Sequence, residues 1–297
     1  MKLVLLAAGH GRRFGGLKQI APVGPRGEAI MDYTVRSAAA CGYDGVVLVV
    51  REEIRDEILG HVAARWSLDI PVETVVQPSR PGTAYAVSCT RDVVDGPFAV
   101  ANADDLYEQD ALVRLRDHFG ASSGLSARGE HVLVAYRLGR TVLTDAEVKR
   151  GICVVGASGE LRRVEEHRVQ LREDGLFDAV PLAHVLEPAG THGHRTVLEG
   201  SAPVSMNLWG FSPSVFALLD EATARFEPDG PDEEILLPEV LGAAVASGRT
   251  TVSVAATSSH CYGVTHKEDV LLVRDHLAVV ESGELAGFGS ALFTAGQ

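Results

Sequence analysis

Basic side chains alternate with glycines in one short stretch near the N-terminus. The stretch LVLLAAGHGRRFGGLKQ places Arg12, Arg13 and Lys18 directly after a short apolar run. Glycines let backbone N–H groups approach phosphate oxygens closely, and arginine and lysine neutralise phosphate charge by forked and single hydrogen bonds. The stretch therefore predicts a phosphate-binding loop at the end of a buried strand.

Two common glycine-rich phosphate loops do not fit this spacing. The dinucleotide fingerprint GxGxxG requires glycine where Phe14 stands, with Gly15 one residue late, and it requires an acidic residue where Arg51 follows the second apolar run. The mononucleotide loop GxxxxGK[ST] fails because Leu17 precedes the lysine and Gln19 replaces the metal-binding hydroxyl. The loop therefore belongs to another class.

Carboxylates follow a later apolar run, in the stretch ANADDLY, which contains Asp104 and Asp105. A hard cation such as Mg²⁺ takes oxygen ligands, and an aspartate at the carboxyl end of a strand is well placed to give one. Another stretch, QPSRPGTAYAV, begins at Gln77 and is typical of a turn followed by a helix. Both stretches could face the phosphate loop if their strands are neighbours.

The apolar runs that carry these residues alternate with amphipathic stretches in the first half of the chain. This alternation of buried strands and helices indicates a Rossmann-like α/β fold, whose mostly parallel central sheet has helices on both faces. Ligands of such sheets bind at the carboxyl edge. We predict strands over Leu3–Ala8, Gly45–Val50, Val72–Val76 and Phe98–Ala101, and helices over Ala29–Cys41, Glu52–Trp66 and Gly82–Arg91.

The second half is less regular and richer in strands. We find no internal repeat and no linker, so we expect one domain over residues 1–282, with halves 1–120 and 121–282 and a loosely held tail over 283–297. We predict strands over His131–Leu138, Gly151–Val155, Leu161–Glu166, Val204–Phe211 and Thr251–Ala255, and helices over Pro213–Phe226, Glu233–Ser247 and Lys267–Glu281.

The bulk composition excludes several classes of protein. The 297 residues are 46% hydrophobic and carry a net charge of -13, which argues against a nucleic-acid surface. No apolar run is long enough for a membrane helix, and the N-terminal run lacks the pattern of a signal peptide. The four cysteines form no CxxC pair, as expected of reduced thiols. We expect a cytoplasmic protein with no membrane partner, which could form a homo-oligomer.

The motif LAAGxGxRFGGxKQ resembles the signature loop of the nucleotidyltransferases with the GT-A-like fold. Enzymes of this family join a nucleotide to a phosphorylated acceptor, often a sugar 1-phosphate. Lys18 follows Arg13 by five positions, a spacing closer to the molybdenum-cofactor branch of the family. The resemblance implies that Arg13 and Lys18 are catalytic, and that the loop residues Leu6, Ala7, Ala8, Gly9 and Gly11 bind the nucleotide.

The resemblance extends to the two later stretches of the first half. In the family's pattern Q…P.GTA.A, Gln77 would contact the edge of the base, and Gly82 and Thr83 would pack against the base or sugar at a helix N-terminus. In the pattern GD.L or AD.L, Asp104 would hold a catalytic Mg²⁺. These motifs make residues 1–120 the nucleotide-binding half.

Two further stretches resemble the acceptor-binding segments of sugar nucleotidyltransferases. In RGICVVGASGELRRVEEH, a glycine precedes one strand and a glutamate ends the next, which assigns Gly151 and Glu166, with Glu165 the alternative if the register differs by one. In VSMNLWGF, the corresponding asparagine is Asn207. Residues 121–282 would then form the acceptor-binding half.

One position departs from the family's pattern. A second metal-binding aspartate often stands shortly before the last helix, where this chain has Gly263 in CYGVTHKEDV. The second ligand is therefore missing, shifted or supplied elsewhere, with Asp105 and His266 as candidates.

The resemblance implies an enzyme that uses Mg²⁺, an NTP and a small phosphorylated acceptor, and forms an NDP-sugar and pyrophosphate by in-line attack on the α-phosphate. The acceptor could instead be phosphocholine, a phosphonate or a cofactor. Gly263 leaves open an inactive, nucleotide-binding regulatory homologue. A metal-dependent glycosyltransferase is a further alternative, although its DxD turn is matched only partly by Asn102 and Asp104.

Overall fold

The computed structural model describes residues 1–9, 14–67, 69–78, 82–120, 130–142, 144–182, 195–227, 230, 233–264 and 268–281. Within them, helices and strands alternate in the first half, and strands dominate the second. The strands are β1 Lys2–Leu6, β2 Gly45–Val50, β3 Val72–Val76, β4 Phe98–Asn102, β5 Asp105–Tyr107, β6 His131–Arg137, β7 Val148–Val155, β8 Leu161–Leu171, β9 Phe177–Pro181, β10 Thr196–Leu198, β11 Pro203–Phe211, β12 Val252–Ala256 and β13 Cys261–Gly263. The helices are α1 Ile30–Ala40, α2 Glu52–Arg65, α3 Thr83–Ser88, α4 Gln109–His118, α5 Val215–Arg225, α6 Leu237–Ala246 and α7 Asp269–Glu281.

Parallel pairing joins the four strands of the first half in the order β4-β1-β2-β3. Leu6 at the end of β1 pairs with Val49 on one side and Asn102 on the other. The segments that follow these strands therefore meet at one edge of the sheet. This edge holds the loop after β1, Arg51 after β2, Gln77 after β3 and the acidic turn after β4.

Helices cover both faces of this sheet, as the unbroken apolar strands predict. Alternate residues of a strand point to opposite faces. Leu3 and Leu5 accordingly pack in a core with residues of α1, α2 and α4, whereas Val4 and Leu6 pack in a second core with residues of α3, α5 and α6. The expected α/β class is confirmed.

Antiparallel strands extend the same sheet into the second half, in the order β10-β9-β8-β7-β11-β4. A further pair branches from β11, where β6 pairs antiparallel with β11 and parallel with β12. The register between β11 and β6 shifts between Ser205 and Trp209, and Asn207 in this bulge has a φ of 56°. Asparagine tolerates this left-handed conformation better than most residues. The bulge turns Asn207 out of the regular ladder.

A small ribbon of β5 and β13 stands apart from the main sheet. Asp105 begins β5 and pairs with Gly263, the last residue of β13. The sequence predicts only an acidic turn at this position, because a three-residue strand leaves no periodic signal. The ribbon joins the acidic turn to the segment that precedes α7.

Several predicted boundaries need correction. The strand predicted over Leu3–Ala8 ends at Leu6, and the helix predicted over Gly82–Arg91 ends at Ser88. The helix predicted from Glu233 begins at Leu237, because Pro238 lacks an N–H and fits only the first turn. Helix α4 and strands β9 and β10 were not predicted. The predicted tail, residues 283–297, and Lys267 lie outside the described residues, and the division into one domain with two halves stays a prediction.

Candidate active site

Side-chain donors hold the carbonyl groups of the loop after β1. Gln19, which is buried, donates from Nε2 to Ala7 O at 3.0 Å and to Gly9 O at 2.9 Å, and Arg51 Nε donates to Ala8 O at 2.7 Å. A carbonyl and the next N–H point in opposite directions across a trans peptide. The N–H groups of Ala8 and Gly9 are therefore turned away from these side chains, and neither donates to a backbone carbonyl of a described residue. This geometry suits phosphate binding.

Lys18 begins a 3₁₀ turn and forms an ion pair with Asp104, which follows β4. Both side chains are about one-fifth exposed, at 19% and 22%. The contact joins the phosphate loop to the acidic turn across 86 residues of sequence. Arg13 and Gly11, the other predicted loop residues, lie outside the described residues.

A cleft of about 710 Å³ opens beside this ion pair. Most of the residues predicted to bind the nucleotide line it, and Ala7 is buried beneath the loop. Acidic residues that the sequence analysis did not single out, Glu52, Glu53 and Glu234, also line the cleft. The predicted residues in the lining are Leu6, Ala8, Gly9, Gln77, Gly82, Thr83 and Asp104.

The wall of the cleft at Gly82 and Thr83 is built against a distant segment. Gly82 has φ 115° and ψ 153°, and a Cβ there would lie 2.5 Å from the backbone N of Ile235. Ala84 N donates to Ile235 O at 3.1 Å, and Leu237 N donates to Thr83 Oγ1 at 2.9 Å. Gly82 is therefore required by its conformation and by this close approach, besides any contact with a nucleotide.

A smaller pocket of about 240 Å³ adjoins the cleft and shares Thr83 and Asn102 with it. All three predicted acceptor-binding residues line this pocket, as do two cations that the sequence analysis did not assign. The sequence does contain a signal for these two cations, because they form a basic pair directly before Gly151. The predicted residues are Gly151, Glu166 and Asn207, and the cations are Lys149 and Arg150.

Glu166 reaches this pocket across Gly151, its partner in the β7–β8 ladder. A Cβ on Gly151 would lie 3.2 Å from Glu166 Oε1 and 2.7 Å from Val164 Cγ1. Burial raises the pKa of Glu166, while the charges of Lys149 and Arg150 oppose the shift. Glu165, the alternative candidate, forms an ion pair with Arg163 and does not line the pocket. Glu166, one residue further along the chain, does line it.

A directional chain of hydrogen bonds connects Asn207 to the acidic turn. Trp209 Nε1 donates to Asn207 Oδ1 at 2.9 Å, and Asn207 Nδ2 donates to Asn102 Oδ1 at 2.8 Å. Asn102 Nδ2 then donates to Asp105 Oδ2 at 2.7 Å. Tyr107 Oη lies 3.2 Å from the same oxygen, but its single hydrogen has a nearer acceptor in Met206 O, at 2.7 Å. These bonds fix the orientation of both amides and of the carboxylate.

Asp105 is buried, with 8% of its surface exposed, and lines the smaller pocket, whereas Asp104 lines the cleft. Burial and the neighbouring Asp104 charge raise the pKa of Asp105 to about 6, against the hydrogen bond from Asn102. The two carboxylates thus line different pockets, and Asn102 lines both.

Comparison with known proteins identifies the chain. The family model described as a MobA-like NTP transferase domain matches residues 3–199, about two-thirds of the chain. The chain belongs to the MobA-like NTP transferase family. The predicted resemblance to nucleotidyltransferases is confirmed, and the protein is an enzyme of the transferase class.

Solved structures share the fold of this MobA-like NTP transferase at low sequence identity. The inositol-1-phosphate CTP transferase from T. maritima superposes with a TM-score of 0.63 at 17% identity, over 92% of this chain and 94% of that one. A putative glucose-1-phosphate thymidylyltransferase from Bacillus anthracis, in complex with a sucrose, gives 0.64 at 13% identity, over 93% and 94%. These similarities confirm the GT-A-like nucleotidyltransferase fold.

A curated relative matches part of this MobA-like NTP transferase more closely. The bifunctional IPC transferase and DIPP synthase from Rubrobacter xylanophilus is 32% identical over 115 residues, which are 37% of this chain and 25% of that protein. The match thus spans about a quarter of the relative's length.

Members of the MobA-like NTP transferase family generally use a divalent cation. The donor set of this chain fits one, because Asp104 and Asp105 offer carboxylate oxygens at the junction of the two pockets. His266, one candidate for the second ligand, lies outside the described residues. Among the described residues, no helix combines the length and apolar character needed to span a membrane.

A second group of possible ligands lies beyond β5 in this MobA-like NTP transferase. His260 Nδ1 and His276 Nε2 lie 3.3 and 3.4 Å from Glu108 Oε1, and the three ligand atoms lie within 4.8 Å of one another. Arg140 Nη1 lies 2.6 Å from His260 Nε2. Because arginine can only donate, this contact requires an unprotonated Nε2, so Nδ1–H faces Glu108. This contact favours a hydrogen bond between His260 and Glu108 over ligation of a cation by His260, while His276 Nε2 has no hydrogen-bond partner among the described residues.

Proposed function

We propose that this enzyme joins an NTP to a sugar 1-phosphate or a similar phosphorylated polyhydroxy compound, giving an NDP-linked product and pyrophosphate. The observation that carries the proposal is the junction of the two pockets. The cleft and the smaller pocket share Thr83 and Asn102, Asp104 lines the first and Asp105 the second, and Lys18 contacts Asp104. Two substrates bound side by side would bring their phosphates together at this point.

The cleft supports binding of the NTP. The loop of Ala8 and Gly9 offers N–H groups to the phosphates, and Gln77 offers an amide to the base. Arg13, which lies outside the described residues, stays a prediction as the residue that contacts the leaving pyrophosphate. The nature of the base is left to the experiment below.

The smaller pocket supports binding of a hydroxylated acceptor. Glu166 and Asn207 are suited to hydrogen bonds with hydroxyl groups, and Lys149 and Arg150 are suited to a phosphate. A quaternary ammonium group such as that of phosphocholine is usually bound by aromatic faces. No aromatic residue is present among the described residues that line this pocket, so phosphocholine is disfavoured.

The reaction follows from these positions. An acceptor phosphate oxygen attacks the α-phosphorus in line, the new P–O bond forms, and the bond between the α-phosphorus and the bridging oxygen of pyrophosphate breaks. The attacking oxygen is already anionic, so no general base is required. Lys18 would contact the reacting phosphates once the substrates compete for its ion pair with Asp104. Mg²⁺, held by Asp104, would supply positive charge to the triphosphate.

A cofactor acceptor is a second candidate, favoured by the MobA-like family model and by the short spacing from Arg13 to Lys18. It would place a larger group in the smaller pocket. The volume of about 240 Å³ favours the smaller sugar or polyol phosphate.

A screen for pyrophosphate release tests the proposal, with four NTPs against sugar 1-phosphates, inositol 1-phosphate, phosphocholine and a phosphonate. We expect turnover with one NTP and a phosphorylated polyhydroxy acceptor. Lys18→Ala should lower kcat/KM by roughly 100-fold or more, as expected when a group that stabilises transition-state charge is removed. Lys2→Ala is the matched control, because Lys2 pairs with Glu73 at the opposite end of β1.

Two results would contradict the proposal. The first is an absence of turnover with every pair together with no binding of any NTP. The second is full activity of Lys18→Ala, which would remove this residue from the mechanism. NTP binding without turnover would instead support the regulatory homologue.

A further inference from the structure

Gly263 occupies the position where the family's pattern has a second metal-binding aspartate, and it lies directly beside Asp105. The two residues are paired across the β5–β13 ribbon, so their side chains would share one face. Gly263 has no positive φ, so its backbone conformation does not require glycine. The reason for glycine at this position must be sought in the surrounding space.

The carboxylate of Asp105 fills that space. A Cβ on Gly263 would overlap Asp105 Oδ1 and lie 3.6 Å from Asp105 Cγ. No other described residue, apart from the chain neighbours of Gly263, comes within 4 Å of that Cβ position. An aspartate at position 263 would therefore require the carboxylate of Asp105 to move from its present place.

Hydrogen bonds hold the Asp105 carboxylate in this orientation. Asn102 Nδ2 donates to Oδ2 and Tyr107 Oη lies 3.2 Å from it, while Oδ1 is the oxygen that lies toward Gly263. Asn102 is itself held by Asn207 and, through it, by Trp209. The carboxylate is thus fixed from its Oδ2 side.

The setting of Asp105 suits a cation ligand. Its side chain is more than nine-tenths buried, faces the smaller pocket next to Asp104, and forms no ion pair with a described cation at or below 4.0 Å. A buried carboxylate without a paired charge is costly in free energy. A divalent cation at the junction of the two pockets would compensate the charge of Asp105, whereas Asp104 already has Lys18.

We propose that Asp105 is the second carboxylate ligand of the site's divalent cation, taking the place of the aspartate that Gly263 lacks. The inference rests on the proposed function, since that function supplies the cation. Asp104 and Asp105 together would hold the cation between the nucleotide and the acceptor. Asn102 is then a positioning residue for Asp105.

Titration of the full-length protein with Mn²⁺ tests this assignment, with the free ion followed by electron paramagnetic resonance. Asp105→Asn keeps an acceptor for Asn102, and should weaken Mn²⁺ binding by about tenfold or more. Without metal it should melt no lower than the wild type. Asp92→Asn, a change at an exposed residue on a 3₁₀ turn, should bind Mn²⁺ as the wild type does.

A reciprocal exchange separates ligation from a structural role. Gly263→Asp alone should lower the melting temperature, because two carboxylates would compete for one space. Asp105→Ala removes the carboxylate that a Cβ at position 263 would meet, and no other described residue, apart from the chain neighbours of Gly263, lies within 4 Å of that Cβ. Adding Gly263→Asp to this variant should therefore restore Mn²⁺ binding close to the wild-type affinity. Recovery in the double variant is the result expected of exchanged ligands.

The proposal is overturned if the wild type binds no Mn²⁺, if Asp105→Asn binds it unchanged, or if the double variant does not recover. These outcomes are independent of the reaction. Binding of Mn²⁺ that depends on Asp105, without pyrophosphate release in the screen, would contradict the proposed function alone. Pyrophosphate release with an unaffected Asp105→Asn variant would contradict this assignment alone.

Discussion

Replacement of Gly82 by alanine should destabilise the protein strongly, although it adds only one methyl group. Gly82 lies at φ 115° and ψ 153°, a region that is essentially restricted to glycine. The added Cβ would lie 2.5 Å from Ile235 N and 2.8 Å from Ile235 C. Because these are backbone atoms, no side-chain rotation can relieve the overlap.

The size of the effect follows from two contributions. A non-glycine residue in this backbone region costs about 1–3 kcal/mol, and an overpacked methyl group typically costs about 1–3 kcal/mol more. Displacement of Ile235 would also break the hydrogen bond from Ala84 N to Ile235 O, at 3.1 Å. We therefore expect Gly82→Ala to lower the free energy of unfolding by about 3 kcal/mol or more.

Urea unfolding followed by circular dichroism measures this change, with Gly60→Ala as the matched control. Gly60 lies within α2, and a Cβ there would contact nothing within 4 Å. Alanine is a better helix former, so the control should gain about 0.5–1 kcal/mol. A loss below about 1 kcal/mol for Gly82→Ala would refute the argument from conformation and close approach.

Two further predictions concern the smaller pocket, which we propose binds the acceptor, and the group of Glu108, His260 and His276, here called the Glu108 cluster. Gly151→Ala should displace Glu166, because Glu166 Oε1 would lie 3.2 Å from the new Cβ. The KM for the acceptor should rise by roughly tenfold, while the KM for the NTP should stay unchanged. A rise in both KM values would contradict this prediction. Burial alone would raise the pKa of Glu108, but contacts with His260 and His276 together lower it from 4.5 to about 2. The stabilisation that comes from this lowered pKa is present above about pH 4.5 and is lost as the pH falls toward 2. Glu108→Gln should therefore lower the free energy of unfolding by roughly 2 kcal/mol at pH 6, and should make that free energy depend less on pH below 4.5. An unchanged dependence on pH in the acid range would contradict this prediction.

The sequence predicts the parallel half of the fold closely because its signals are local. Strands β2 and β3 begin and end where predicted, since Gly45 opens an unbroken apolar run and Pro71 directly precedes a short stretch rich in β-branched residues. The phosphate loop could be predicted for the same reason, because its glycines and Lys18 lie within one short stretch of the sequence. Parallel pairing then brings Gln77 and Asp104 to the same edge without further information.

The remaining features depend on contacts between distant segments. Gly82 packs against Ile235, and Asp105 lies against Gly263, each across more than 150 residues of sequence. The Glu108 cluster likewise joins the start of α4, the segment before β13 and helix α7. No periodicity or spacing encodes such pairs, so the sequence could identify Gly263 as a departure but could not show what fills its place.

The most direct test of the central claim follows the phosphorus atoms of the NTP. The enzyme is incubated with the acceptor and NTP selected by the screen, labelled in parallel experiments at the α- or the γ-phosphate, and the products are separated. Attack at the α-phosphorus predicts that the α label enters the NDP-linked product and that the γ label leaves in pyrophosphate. Transfer of the γ label to the acceptor, or its release as free phosphate, would contradict the proposed nucleotidyl transfer.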